Sequence, residues 1–135
     1  MQRDYLLREI EKIGAMLRML IRRAVEQKDK REEETDTEEL VKDFFEESGF
    51  ELEDLLNAKK EQLDKIVNSK NGFSPENIES LGDFLLALSE ISELINQQKY
   101  LLKALELYQM VDEKTQTFSM LRAKKMDAIR DRLKN

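Results

Sequence analysis

A chain of 135 residues that is 40% hydrophobic and 39% charged, with four Gly and one Pro, fits one domain of amphipathic helices and lacks the turn residues of an all-β fold. It contains no Cys and no His, which excludes disulfides, thiol chemistry, Cys/His zinc sites and the usual general base at neutral pH. The net charge of −6 is unevenly spread: residues 1–31 hold nine Lys/Arg against five Asp/Glu, 32–64 three against fourteen, and 65–135 eleven against ten. A polyanion would have to approach past the acidic middle, so nucleic acid is not an expected partner.

The opening "YLLREIEKIGAMLRMLIRRAV" predicts one long helix over about 1–28. Leu6, Ile10, Ile13, Leu17, Leu20, Ile21 and Ala24 recur at spacings of three and four and form one apolar stripe. Leu7 and Val25 widen it on one side, Tyr5 and Met16 on the other, and Met19 lies farther round among Arg8, Lys12 and Ala15. That breadth exceeds what one antiparallel neighbour covers. Met16, Met19, Leu20 and Arg23 are therefore the expected interaction residues, meeting a foreign helix or a second copy, with a homodimer as the first choice. Charges every third or fourth residue break any signal-peptide core, and no apolar run has the length of a membrane span; a cytoplasmic protein is expected.

An acidic linker is expected over 29–36, followed by an acidic helical pair over 37–72. Thr35 or Thr37 caps the first helix of the pair, Leu40, Val41, Phe44 and Phe45 form its apolar face, and Gly49 ends it. The second runs unbroken through "ELEDLLNAKKEQLDKIVNSKNG" to Asn71-Gly72. Next, "GFSPENI" combines an N-cap (Ser74), a first-turn Pro75 and a hydrophobic staple between Phe73 and Ile78. The helix it opens is expected to reach about Ile95, with a turn at Asn96-Gln97-Gln98, a helix to about Val111, and a closing helix from "FSMLRAKKMDAIRDRL". The sum is an all-α fold of about six helices in one domain, residues 73–135 forming its hairpin and C-terminal helix.

Residues 75–133 resemble a tetratricopeptide repeat, an antiparallel helix pair with small residues where the helices approach and large ones in the groove. Leu81-Gly82 and Leu85 match its first helix, with Ile78 at the early large position; Leu101 and Ala104-Leu105 match its second. Phe118-Ser119 repeats the large-small pair one unit later, as in the first helix of a second repeat. Gly82 to Ala104 is three residues longer than the family spacing, and the family's Pro after the second helix is absent. The resemblance implies a protein-binding scaffold. The whole chain also resembles a group of small uncharacterised bacterial helical proteins, which implies no function.

Chemistry is sparse in this sequence. Glu90 with Glu93, and Asp127 with Asp131, lie within a helical turn of one another among polar residues, the pattern of a solvated face rather than an acid–base pair. The run Glu32-Glu33-Glu34-Asp36-Glu38-Glu39 lacks the ligand alternation and Gly of a calcium loop. Phosphate-loop, nucleophile-elbow and dinucleotide motifs are missing, so no catalytic, cofactor-binding or metal site is assigned and no enzyme is expected. The function expected is a protein–protein interaction or scaffold module that binds another protein, itself included. The alternative is a peripheral membrane or nucleic-acid-associated protein using the basic faces around Arg18, Arg22 and Arg23 or "RAKKMDAIRDRLK".

Overall fold

The structure, a computed structural model, describes residues 2–30 and 37–134. Among them are seven helices and no strand: α1 (Gln2–Lys30), α2 (Thr37–Ser48), α3 (Leu52–Asn57), α4 (Lys60–Asn68), α5 (Pro75–Glu90), α6 (Leu94–Thr115) and α7 (Met120–Lys134). The all-α expectation holds, with one helix more than the sequence predicts.

The fold is built around α5, which packs on α1 along one side and on α6 along another. This explains why α5 buries residues nearly all round, from Asn77 and Ile78 through Leu81, Gly82, Phe84, Leu85, Leu88 and Ser89. Its start is the one the sequence predicts. Ser74 Oγ accepts from Asn77 N–H at 3.3 Å, Pro75 stands in the first turn, and the stapling pair Phe73 and Ile78 is buried. Asn77 then ties α5 to α1, its Nδ2 donating to Ile10 O at 2.9 Å and to Gly72 O at 2.6 Å. At the other end Lys28 pairs with Glu90 at 3.2 Å, so α1 and α5 run parallel.

Helix α6 returns antiparallel to α5, and α7 packs on α6. Glu90 also receives Arg132 at 2.7 Å, and Glu79 receives the buried Arg122 at 2.7 Å, which aligns α7 with α5. Helix α2 lies along α1, with Phe44 reaching Phe84 of α5 at a ring separation of 5.7 Å. Gly49 takes a φ of +79° and donates its N–H to Phe45 O at 2.8 Å, the left-handed stop the sequence predicts.

Several boundaries differ from the sequence reading. Helix α1 continues through Lys30, so Asp29 and Lys30 belong to it; Arg31 to Asp36, including Thr35 and most of the acidic run, lie outside the described residues. The predicted helix over 51–72 is two helices, because Ala58 and Lys59 are extended. The buried Lys103 of α6 donates its ammonium to Ala58 O, and Lys59 N–H is taken by Gln62 Oε1 at 3.2 Å. Helix α5 ends at Glu90 and α6 begins at Leu94, so the turn falls at 91–93 and Asn96, Gln97 and Gln98 are helical. Ser92 Oγ donates to Leu88 O at 2.6 Å and Gln97 Nε2 to Ser89 O at 3.0 Å, which closes the end of α5.

Candidate functional site

The α1–α2 pair leaves a groove of about 500 Å³, lined by Lys12, Ala15, Met16, Met19, Leu20, Arg23, Asp43, Glu46 and Glu47. All four residues that the sequence marks for interaction lie in it, in three distinct roles. Met16 and Leu20 are buried and form the floor; the chain's own core covers them, which corrects the expectation that Met16 stays free for a partner. Met19 is 61% exposed and stands at the mouth. Arg23 bridges the two walls, its guanidinium donating to Asp43 Oδ2 at 2.6 Å and lying 3.9 Å from Glu39.

The helical repeat of each element places these side chains. On α1, turning 100° per residue brings Lys12, Ala15, Met19 and Arg23 to one flank of the buried stripe, the flank that lines the groove. On α2, Leu40, Phe44 and Ser48 are buried, and Asp43, Glu46 and Glu47 fall together on the flank beside α1. One wall is thus basic, the other acidic, and the seam between them is apolar and deformable, since Met is unbranched and polarisable. The residues that the sequence marks for interaction include none of the acidic wall, because which flank of α2 meets α1 depends on packing. The i, i+3 and i, i+4 spacing of these three acids is its only trace in the sequence.

The residues assigned to repeat packing divide in two. Ile78, Leu81, Gly82, Leu85, Leu101, Ala104 and Leu105 are buried in or beside the α5–α6 interface. Gly82 meets Tyr108 across that interface, where a Cβ would fall 2.8 Å from Cε1 of the ring. Phe118 is instead 81% exposed, in the connection between α6 and α7, and Ser119 caps α7 by accepting from Arg122 N–H at 3.2 Å. The large-small pair therefore precedes α7 rather than standing within a helix.

Several of the remaining charged candidates are engaged internally. Arg122 is buried and bound by Glu79, by Asp112 at 2.7 Å and by Thr117 O at 3.0 Å; Lys125 pairs with Asp83 at 2.9 Å. Glu90 holds Lys28 and Arg132, and Asp127 holds Arg130 at 3.3 Å. Tyr108 donates its hydroxyl to Asp83 at 2.5 Å; burial first, and then the Asp83 charge, push its phenol well above the usual range. No helix among the described residues is long and apolar enough to cross a membrane. Comparison with protein-family models, with curated proteins and with solved structures gives no match.

Proposed function

We propose that this chain is a non-enzymatic protein-interaction module that works through the α1–α2 groove, with the α5–α6 pair as a tetratricopeptide-like scaffold behind it. The observation that carries the reading is Met19, 61% exposed over a buried Met16–Leu20 floor and set between a basic and an acidic wall. An apolar centre inside a charged rim is the anatomy of an association surface. The reading through basic faces has less behind it, since Arg122, Lys125 and Arg132 of α7 already serve Glu79, Asp83, Asp112 and Glu90.

Native mass spectrometry of the purified chain, followed by hydrogen exchange on whatever complex it forms, tests the proposal. Association with itself or with another protein should add protection over residues 12–23 and 43–47. Protection confined to other helices, or a chain that associates with nothing, would overturn it.

A further inference from the structure

We infer that the occupant of the α1–α2 groove is a second copy of this chain, the two grooves pressed face to face about a two-fold axis that runs along the groove. The inference rests on the interaction reading above and names its partner.

The walls decide it. The α1 wall presents Lys12, and the α2 wall presents Glu46 and Glu47; all three are exposed, and among the described residues they form no ion pair. Arg23 and Asp43 already satisfy each other at 2.6 Å. A foreign helix of one sign would neutralise one wall and meet repulsion from the other, whereas an identical copy brings both signs at once. Two-fold contact requires such a self-complementary patch.

Only one of the two face-to-face arrangements uses it. An axis across the groove lays α1 on α1 and α2 on α2, setting like charges together. An axis along the groove lays each basic wall on the partner's acidic wall, twice over. The same axis holds equivalent residues at equal height, so Met19 faces Met19 across the seam. Two α1–α2 pairs then enclose one apolar centre as four packed helices, with Met19 covered.

The absence of Cys makes the test direct. Sedimentation of the wild type at concentrations up to about 100 μM should show a dimer that weakens with salt. A Met19→Cys variant should be captured as a covalent dimer by a short bis-maleimide, while Lys124→Cys on α7 should not. Glu46→Lys with Glu47→Lys should raise the dimer Kd about tenfold or more, and adding Lys12→Glu should restore part of the affinity. A monomeric wild type overturns the inference; so does a dimer indifferent to these reversals, or one captured equally through position 124. The interaction reading survives those failures if hydrogen exchange places a foreign protein on residues 12–23 and 43–47, and falls with them if it does not.

Discussion

Tyr108 fills the space that any side chain at Gly82 would need: a Cβ there would lie 2.8 Å from its Cε1 and 3.1 Å from its Cζ. The ring has little room to retreat. Its hydroxyl is bound to Asp83 at 2.5 Å, and Asp83 is held in turn by Lys125, whose ammonium lies 5.6 Å from the ring centroid. Gly82→Ala gains about 1 kcal/mol of helix propensity, but overpacking a fixed ring costs roughly 1–3 kcal/mol. The net expectation is a loss of about 1 kcal/mol, read as a lower urea midpoint with unchanged slope. A variant as stable as the wild type would mean that Tyr108 yields freely.

The same ring gives an alkaline signature. Burial and the neighbouring Asp83 raise the Tyr108 pKa above its ordinary value of 10.0. A group whose pKa is raised by folding stabilises fully below its unfolded pKa, and that contribution is lost as pH climbs toward the folded value. Stability should therefore fall above about pH 10, this one proton contributing a slope of up to about 1.4 kcal/mol per pH unit. Tyr108→Phe removes that contribution and leaves Tyr100, also raised by burial and by Glu53, in both proteins. Urea titrations of both proteins at about pH 8 and pH 11 measure the difference, and the gap between them should narrow at the higher pH. A gap that stays constant would place Tyr108 in solvent.

Lys103 is a buried charge. Its side chain reaches Ala58 O and pairs with Glu106 at 2.8 Å, both within the fold. Lys103→Met would strand a carboxylate and a carbonyl together, at a cost of about 3 kcal/mol. Removing Glu106 as well, as Lys103→Met with Glu106→Leu, should recover part of that loss, because a missing pair costs less than half of one. Denaturant unfolding of the two single variants and the double completes the cycle. Strict additivity would show that the two groups are independent.

Lys103 also shows where the sequence stops being legible. The stripe Leu52, Leu55, Leu56, Leu63, Ile66 and Val67 keeps helical phase across Ala58-Lys59, so local pattern predicts continuity. The atom that breaks it comes from α6, 45 positions away. Leu94 and Ile95 mislead in the opposite sense: they extend the apolar rhythm of α5, yet both are exposed in the first turn of α6. Starts and stops written in short-range chemistry are readable, as Ser74-Pro75 and Gly49 show. For the groove, the α1 half can be read from the width of its stripe, whereas the α2 half requires knowing which flank of a short amphipathic helix its neighbour meets.

Met16 and Met19 are three positions apart on α1 and should respond oppositely to the same substitution. Met16 is buried on the groove floor, so Met16→Glu places an unpaired carboxylate among Leu20 and the core, and a loss of about 3 kcal/mol or more is expected. Met19 is exposed at the mouth, so Met19→Glu should change stability by no more than about 0.5 kcal/mol. Thermal and urea unfolding of the two variants, at concentrations too low for association, separates these effects. With stability unchanged, Met19→Glu is the variant in which weakened association can be assigned to the groove, because its fold is that of the wild type. If Met19→Glu destabilises as strongly as Met16→Glu, Met19 belongs to the core and the mouth of the groove is closed.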